Sequence, residues 1–340
     1  MRPTVHDIAA EAGVSLATVD RVLNGRPGVR RQTVEKVETA VSRLGYVRDV
    51  TAANLARRRI YPLVFVIPAG PNSFMRVLEA EITAAMGRSS EERTSIRIET
   101  VPPFDSGAIV HVLDALDPKS VSGVALVATD TEEVRIAVDR LIEKGVQVAT
   151  LVSDLPGSRR VHFCGIDNIA AGRTAGNLLG RFCTGRRGKV LVVAGSLKLS
   201  DHMDRASGFA AVLKDDFPGL EIIGPVETND DAEAVRSAVG ASLDADPEII
   251  AIYNLGAGNR GLIEAIAARK PRRPAVIAHE VTGHSRQALA DGVFDAVINQ
   301  DCGHEVRSAI RVLKAYADGL NPLSAQERIR IDIFLKDNLP

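Results

Sequence analysis

Residues 4–25 read TVHDIAAEAGVSLATVDRVLNG, and this stretch decides how the first part of the chain folds. Its apolar residues recur at helical spacing in two short segments that meet at Gly13, so it predicts two amphipathic helices joined by a tight turn. Thr4 and Ser15 are placed to cap these helices. The arrangement is typical of a helix-turn-helix, whose second helix enters the DNA major groove; an ordinary helical hairpin is the alternative.

The outer face of the second helix supplies the residues that we expect to read DNA bases. Val19, Val22 and Leu23 share the inner face. The opposite face carries the candidate base contacts Leu16, Ala17, Asp20 and Arg21. The predicted DNA-binding set also includes capping residues, phosphate contacts and residues of the following linker, namely Thr4, Ser15, Thr18, Asn24, Arg30, Thr33, Asn54 and Leu55.

A third helix and a basic linker follow. Residues 31–44 carry apolar residues on one face and are followed by Gly45, so three helices are expected to close one small core. The next stretch is basic and weakly helical, with Leu55 in its middle. Such a segment fits a hinge that orders on DNA and inserts a leucine into the minor groove; a charged linker is the alternative. We expect a DNA-binding domain at 1–47 and a hinge helix or linker at 48–60.

The charge of the chain changes sign after this segment. Residues 1–60 hold 11 Lys and Arg against 6 Asp and Glu, a net charge of +5. The remaining residues hold 31 Lys and Arg against 37 Asp and Glu, a net charge of −6. The total charge of −1 therefore combines a basic N-terminal segment, called the basic head, with an acidic remainder. A basic head gains affinity for phosphate by releasing counterions, so its DNA binding should weaken as salt rises.

Composition indicates a folded cytoplasmic protein. The chain has 340 residues, of which 45% are hydrophobic, enough for two or three domains with sizeable cores. It has no signal-peptide core at its start and no apolar run near the roughly 18 residues that span a bilayer, so we expect no membrane partner. Its 3 cysteines are scattered, which favours reduced thiols over disulfides or a zinc site.

From Pro62 onward, short apolar runs alternate with helical segments. This alternation predicts parallel strands covered by helices on both faces, and the number of runs favours two doubly wound sheets. We expect a ligand-binding core at 61–340, with one lobe at about 61–163 and 296–323 and the other at about 164–295 and 324–340. The predicted strands are Leu63–Pro68, Val124–Ala128, Val146–Val152, Val190–Val193, Ile249–Tyr253, Ala275–Ala278 and Ala296–Ile298.

Polar residues follow these strands, where ligands bind in such sheets. Amides, carboxylates and an arginine suit a ligand rich in hydroxyl groups, because each hydroxyl both donates and accepts hydrogen bonds. Phe74 offers an apolar face for a sugar ring or polyol chain. Asn and Asp at strand ends are also common turn formers, which is the alternative. The candidate effector-binding residues are Asn72, Ser73, Phe74, Asp154, Arg205, Asn254, His279, Glu280 and Gln300.

These residues resemble, essentially end to end, the lac repressor-like (LacI/GalR) family of transcription regulators. The most specific parts are Thr4–Asn24, Leu44–Tyr46 and the linker with Leu55. The resemblance implies a two-lobed periplasmic-binding-protein-like core, base reading by the second helix, a lever role for Leu55, and a homodimer on a palindromic operator. It also implies effector binding by Arg205, and places Asn72, Ser73, Phe74, Asn254, Glu280 and Gln300 at the effector site.

Several positions depart from the family pattern, including the segment Tyr253–Arg260, which is longer and richer in glycine than usual. Asp20 stands where a serine is usual and puts a negative charge near DNA; it either accepts a hydrogen bond from cytosine or orients Arg21. Arg30 replaces the usual cap of the third helix. His279 and Glu280 replace a strand end of the Phe/Tyr-Asp-Asp type, which leaves a longer carboxylate beside an imidazole.

Enzyme motifs are not evident. The 7 histidines lack the HExxH spacing, and neither a GxSxG elbow nor a Walker loop occurs. A GxGxxG match at Gly256–Gly261 keeps nucleotide binding open as a minor alternative. We therefore expect no catalytic residue, cofactor or metal, and predict a ligand-responsive repressor of a carbohydrate or polyol operon. Its effector would be a sugar, a polyol or a sugar acid. The alternatives are a transporter's solute-binding protein and a sugar- or nucleoside-processing enzyme.

Overall fold

The computed structural model describes residues 3–23, 25–46, 59–267, 269 and 273–339. The chain divides into two compact units, Met1–Arg59 and Ile60–Pro340. The first unit is called the head and the second the core. This division falls within one or two residues of the predicted boundary between linker and core.

The head contains the three predicted helices, α1 (Val5–Ala12), α2 (Leu16–Leu23) and α3 (Arg31–Leu44). Thr4 caps α1, and Asp7 completes a capping box by accepting from the Thr4 backbone N–H at 2.7 Å. These hydrogen bonds lower the pKa of Asp7. Gly13 ends α1 with φ of 64°, a left-handed conformation that glycine adopts without a steric penalty.

The three helices share one small apolar core, as predicted. Ile8, Val19, Val37 and Ala40 are buried in it. Arg30 precedes α3 without a side-chain cap hydrogen bond, which agrees with its departure from the family pattern. The predicted contacts at Asn24, Asn54 and Leu55, and the linker residues 48–58, lie outside the described residues.

The core alternates strands and helices along its sequence. Its helices are α4 (Ser73–Gly87), α5 (Ser89–Glu92), α6 (Ser106–Ala115), α7 (Glu132–Glu143), α8 (Asn168–Phe182), α9 (Ser200–Asp216), α10 (Ala232–Ala245), α11 (Asn259–Ala267), α12 (Gly283–Ala290) and α13 (Cys302–Ala317). Its strands are β1 (Tyr61–Pro68), β2 (Thr94–Val101), β3 (Gly123–Leu126), β4 (Gln147–Leu151), β5 (His162–Cys164), β6 (Gly188–Ala194), β7 (Leu220–Glu227), β8 (Ile249–Asn254), β9 (Ala275–His279), β10 (Ala296–Asn299) and β11 (Asp332–Phe334).

These strands form two sheets, as predicted. The first has the order β2-β1-β3-β4-β5, and the second has the order β11-β10-β9-β8-β6-β7. All neighbours are parallel except β10 and β11. In each sheet the strand order reverses, once at β1 and once at β6. Ligands bind beside such a reversal, at the carboxyl ends of the strands.

Helices bury both faces of each sheet. Phe65 and Ile67 point to one face of the first sheet, where they meet α4 and α13, and Val64 and Val66 point to the other face. The second sheet is likewise covered by two apolar clusters. This double burial explains why the central strands read as continuous apolar runs.

The predicted lobe boundary at residue 296 was wrong. Residues 296–323 were assigned to the first lobe, but β10 pairs with β9 in the second sheet. The chain returns to the first lobe only with α13, whose Val306, Ile310 and Leu313 pack on the first sheet. A short apolar run does not reveal which of two sheets it joins, because parallel central strands look alike in sequence.

Cys164, Cys183 and Cys302 are free and buried, as the scattered cysteines predicted. None of the described helices combines the length and the apolar character that a membrane crossing requires.

Candidate functional site

A polar cleft of about 160 Å³ lies in the core, between the carboxyl ends of the strands of the two sheets. Seven of the nine predicted effector-binding residues line it: Asn72, Ser73, Phe74, Arg205, His279, Glu280 and Gln300. The first three follow β1 in the first lobe, and the others belong to the second lobe or the segment that leaves it. Residues far apart in sequence therefore meet where the strand orders reverse, as expected for this architecture.

Asp154 does not line the cleft. Its carboxylate forms an ion pair with Arg160 and accepts hydrogen bonds from the Thr150 hydroxyl and the Leu155 backbone N–H, both at 2.7 Å. Its backbone oxygen accepts from the Ser200 hydroxyl at 2.8 Å. Asp154 therefore organises the loop after β4, while its neighbour Ser153 lines the cleft.

Asn254 also lies outside the cleft, and it supports residues that line it. Its side chain is fully buried at the end of β8, where Nδ2 donates to Asn259 Oδ1 at 2.8 Å. Asn259 in turn donates from Nδ2 to the backbone oxygen of His279 at 2.8 Å. Asn254 is thus not among the residues that line the cleft, and its hydrogen bond connects it through Asn259 to His279.

Arg205 is fixed at the centre of the second-lobe side of the cleft. Its Nε donates to Asn168 Oδ1 at 2.8 Å and its Nη1 to the backbone oxygen of Leu255 at 2.9 Å. Its Nη2 is 3.8 Å from Asp201 Oδ2 and 3.8 Å from Glu280 Oε1. The guanidinium therefore faces two carboxylates while keeping one nitrogen for a further acceptor.

A close approach of two helices positions this arginine. A Cβ added to Gly172 of α8 would lie 2.0 Å from the backbone oxygen of Arg205, so glycine is required there. On α9, Gly208 is in the same situation, because its added Cβ would lie 2.1 Å from the backbone oxygen of Ile169. The Asp-Arg-Ala-Ser-Gly-Phe segment, predicted to bind the effector, is thus also a packing motif.

Several buried polar atoms around the cleft lack a hydrogen-bond partner among the described residues. They are Asp201 Oδ1, Arg205 Nη2, His279 Nδ1 and Gln300 Oε1. A buried polar group without a partner costs about 1–3 kcal/mol, so such groups are normally satisfied by a ligand or by water. The set contains donors and acceptors together, which matches the hydroxyl groups of a polyhydroxylated ligand.

Glu280 brings a titratable carboxyl into this group. Gln300 Nε2 donates to Glu280 Oε1 at 2.8 Å. Burial raises the pKa of Glu280 to about 7, although the nearby Arg205 guanidinium opposes the rise. Burial and the neighbouring Glu280 also raise the pKa of Glu305 well above its usual range. The cleft therefore adjoins two carboxyls that resist ionisation.

Backbone strain is concentrated at the same place. Val152, Asp230 and Glu280 all line the cleft and adopt positive φ angles of 62°, 57° and 69°. This left-handed region is unfavourable for residues with a Cβ, and it is enriched at functional sites where the surrounding structure enforces it. The strain therefore supports the assignment of the cleft as the binding site.

Sequence reasoning missed five acidic or imidazole side chains that line the cleft: Asp201, His202, Asp230, Asp231 and His284. Asp230 and Asp231 follow β7, which was not predicted as a strand, so its end was not searched. Asp201 and His202 precede Arg205 on α9 by four and three residues. The helical spacing of Asp201 and Arg205 is a signal that places both side chains on one face.

The GxGxxG match at Gly256–Gly261 has a packing explanation. Gly258 has φ of 81°, and a Cβ on Gly261 would lie 1.7 Å from the backbone oxygen of Ala232. These glycines allow the turn before α11 and the close contact of α11 with α10. The pattern therefore requires no phosphate to account for it.

The head exposes the predicted base-reading face of α2. Leu16 is 43% exposed, which is unusual for a leucine, and Ala17 and Arg21 are also exposed. Asp20 forms an ion pair with Arg26, with Arg26 Nη1 at 3.1 Å from Asp20 Oδ2. Asp20 thereby offsets the positive charge of Arg26, which lies just beyond α2.

The described residues contain no group of three or more His, Cys, Asp and Glu side chains placed to hold a metal ion.

Two families match the two units. Residues 4–49 match the bacterial regulatory proteins of the lacI family, and residues 63–321 match the family of the periplasmic binding protein domain. The second match covers more than half of the chain. These matches confirm the predicted resemblance and the predicted two-lobed core.

Proteins of similar sequence include a catabolite control protein and an HTH-type transcriptional regulator. Catabolite control protein A of Streptococcus mutans serotype c is 32% identical over 146 residues, which cover 40% of this chain and 40% of that protein. The chain thus spans less than half the length of this relative. The HTH-type transcriptional regulator CelR of Thermobifida fusca is 27% identical over 289 residues, which cover 82% of each chain.

Solved structures with a similar fold include sugar-binding proteins. The glucose-galactose binding protein GanP of Geobacillus stearothermophilus has a TM-score of 0.73 at 20% identity, covering 83% of this chain and 99% of that chain. At this identity the likeness shows the fold of the core alone.

Proposed function

The chain belongs to the lacI family of bacterial regulatory proteins and carries a periplasmic binding protein domain, and from this premise we propose that it is a transcriptional repressor controlled by a small polyhydroxylated effector. The effector is a sugar, a polyol or a sugar acid bound in the cleft of the core. The regulated genes serve the uptake or breakdown of such a compound.

The observation that carries this proposal is the set of unpartnered polar atoms in the cleft of a chain that also has a helix-turn-helix head. Among the described residues, no hydrogen-bond partner is found for the donor atoms Arg205 Nη2 and His279 Nδ1, or for the acceptor atoms Asp201 Oδ1 and Gln300 Oε1. Hydroxyl groups satisfy donors and acceptors alike, so a polyhydroxylated compound would restore the missing hydrogen bonds. The cleft residues bind and orient this compound without chemical turnover.

The head binds operator DNA in this proposal. The exposed residues Leu16, Ala17 and Arg21 of α2 read base edges in the major groove, and the apolar Leu16 suits the methyl group of thymine. Arg30 and Thr33 contact phosphates, and Leu55 enters the minor groove. One head offers one recognition helix, so a palindromic operator calls for a homodimer acting in the cytoplasm.

Effector and operator are coupled through the two forms of the core, open and closed. An effector that prefers the closed form changes DNA affinity only by the ratio of its affinities for the two forms. A coupling of about 1–3 kcal/mol is typical, equivalent to roughly 5–150-fold in affinity.

A binding screen tests the proposal. Calorimetry with the full chain would use two sugars, D-galactose and D-arabinose, the sugar acid D-gluconate and the polyol sorbitol. In parallel, fluorescence anisotropy would compare duplex DNA from upstream of the gene with a scrambled duplex over a salt series. Micromolar binding of one compound, together with preferential binding of the upstream duplex, is expected. Equal affinity for both duplexes at every salt concentration would contradict sequence-specific regulation at that site.

A further inference from the structure

Tyr253 lies beneath the cleft and contacts His279 directly. Its hydroxyl is 2.8 Å from His279 Nε2, and its ring stacks on Phe209 with centroids 4.5 Å apart. Tyr253 is fully buried, and His279 is 1% exposed. His279 lines the cleft, whereas Tyr253 does not.

In the described part of the chain, the Tyr253 hydroxyl has one acceptor to which it can donate a hydrogen bond. Burial raises the pKa of Tyr253, so the hydroxyl keeps its hydrogen. His279 Nε2 is its hydrogen-bond partner there. If Nε2 carried a proton and donated to the hydroxyl oxygen, the hydroxyl hydrogen would be buried without an acceptor, at a cost of about a full hydrogen bond. Nε2 therefore accepts, and the hydroxyl donates.

The protonation state of His279 Nδ1 follows from the role of Nε2 as an acceptor. Burial lowers the pKa of His279 well below its usual value, and the Arg205 guanidinium adds to this effect, so the ring is neutral. A neutral imidazole carries one proton, and with Nε2 as acceptor this proton must be on Nδ1. Nδ1 is the ring nitrogen for which the described part of the chain offers no hydrogen-bond partner.

We propose that Tyr253 is a positioning residue that holds His279 in the Nδ1–H tautomer, so that the imidazole offers the effector a hydrogen-bond donor. The effector therefore presents an oxygen lone pair at this point, next to the donor Arg205 Nη2. Asp201 Oδ1 and Gln300 Oε1 accept from its hydroxyl groups elsewhere in the cleft. The assignment of a donor role rests on the proposed effector function, whereas the tautomer does not.

A hydrogen bond to the backbone of His279 also agrees with this role. Asn259 Nδ2 donates to the backbone oxygen of His279 at 2.8 Å, and Asn259 is itself held by Asn254. The imidazole is thus fixed at its backbone and at Nε2, which leaves Nδ1 as its free donor among the described contacts. Such second contacts commonly set which nitrogen of a histidine carries the proton.

Nuclear magnetic resonance of the full chain labelled with ¹⁵N-histidine tests the tautomer without any ligand. The signal of His279 is assigned by its loss in His279→Asn. In the wild type, a pyrrole-type shift at Nδ1 and a pyridine-type shift at Nε2 are expected. In Tyr253→Phe, which keeps the aromatic packing, both nitrogens should move toward intermediate shifts because both tautomers become populated. Tyr316→Phe, on α13, is the matched control and should leave the signals of His279 unchanged.

A pyridine-type Nδ1 in the wild type would overturn the proposal, as would His279 shifts that Tyr253→Phe does not change. Calorimetry of both proteins with D-galactose, D-arabinose, D-gluconate and sorbitol then tests the donor role. A compound that binds the wild type should bind Tyr253→Phe about tenfold more weakly, since a donor of fixed orientation is lost. Equal affinities would overturn the donor role. If the tautomer is as expected and none of the four compounds binds, the role of Tyr253 stands and the proposed effector class fails.

Discussion

Asn72 and Asp230 connect the two lobes of the core across the mouth of the cleft, with Asn72 Nδ2 donating to Asp230 Oδ2 at 3.2 Å. Each residue also has a second task within its own lobe. Asn72 Oδ1 caps α4 by accepting from the Phe74 backbone N–H at 3.0 Å, and Asp230 Oδ1 accepts from the Ala257 backbone N–H at 2.8 Å. The contact therefore joins two rigid elements and favours the closed arrangement of the lobes.

Asn72→Asp should weaken effector binding by about tenfold, equivalent to about 1.4 kcal/mol. The new carboxylate still caps α4, but it faces the Asp230 carboxylate, and this repulsion disfavours closure. Calorimetry would measure the affinity, and small-angle X-ray scattering of the effector-free protein would show a larger radius of gyration. Asn72→Ser keeps a capping oxygen without adding charge. Its effector affinity should lie between those of the wild type and Asn72→Asp. Affinity equal to that of the wild type in Asn72→Asp would argue against a closing role for the contact.

Arg205→Ala should abolish effector binding and leave operator binding nearly intact. The variant should also be less stable by about 3 kcal/mol, because it leaves the buried Asp201 carboxylate without its cation and removes the donors to Asn168 Oδ1 and the Leu255 backbone oxygen. Calorimetry, operator anisotropy and thermal unfolding measure the three effects. Arg173→Ala, on the adjacent helix α8 and outside the cleft lining, serves as the control. Unchanged effector affinity in Arg205→Ala would remove this residue from the site.

Stability should depend on pH through Glu280. Its pKa is raised by burial from 4.5 to about 7, so between these values the folded state binds more protons than the unfolded state. The free energy of unfolding of the wild type therefore falls as pH rises through this window, and the loss is complete above it. In Glu280→Gln this contribution is absent.

Urea unfolding between about pH 5 and pH 8 checks this sign. The stability of Glu280→Gln relative to the wild type should increase as pH rises across the window. Glu264→Gln replaces an exposed glutamate on α11 and should show no such trend. A difference between Glu280→Gln and the wild type that stays constant with pH would mean that Glu280 is ionised throughout.

Asp20→Ser should raise non-specific DNA affinity and change base preference. The substitution releases Arg26 from its ion pair at 3.1 Å, which frees a cation for phosphate and steepens the salt dependence by about one unit in the logarithmic slope. Anisotropy over a salt series and selection from random duplexes measure the two effects. Glu38→Ser, an exposed position on α3, removes the same charge. If both variants behave alike, the effect belongs to net charge and not to the Asp20–Arg26 pair.

Sequence patterns predicted the three helices of the head and the small core that they share. The caps, the turn glycine and the buried residues of three short helices are local features, since Thr4, Asp7 and Gly13 act within a few residues of each other. The core was predicted less completely than the helices of the head. All seven predicted strands exist, but β2, β5, β7 and β11 were missed, and these are the edge strands of the two sheets.

Edge strands were missed for a physical reason. β7 is buried at Leu220 but mostly half-exposed beyond it, so it lacks the continuous apolar run that marks a central parallel strand. Missing β7 also hid Asp230, which follows it and reaches across to Asn72. By contrast, Asp154 and Asn254 sit at recognised strand ends, and only three-dimensional contacts show that they support loops instead of lining the cleft.

The measurement that tests the account most directly is operator affinity of the full chain with and without the compound that calorimetry finds to bind. Fluorescence anisotropy would use a duplex selected from random DNA by the protein itself, at one fixed salt concentration. The account predicts that a saturating amount of the compound changes the dissociation constant for this duplex by about fivefold or more in the wild type. It predicts no change for a scrambled duplex and none in Arg205→Ala. A compound that binds the wild-type cleft and leaves operator affinity unchanged would contradict the claim that this chain is an effector-controlled regulator.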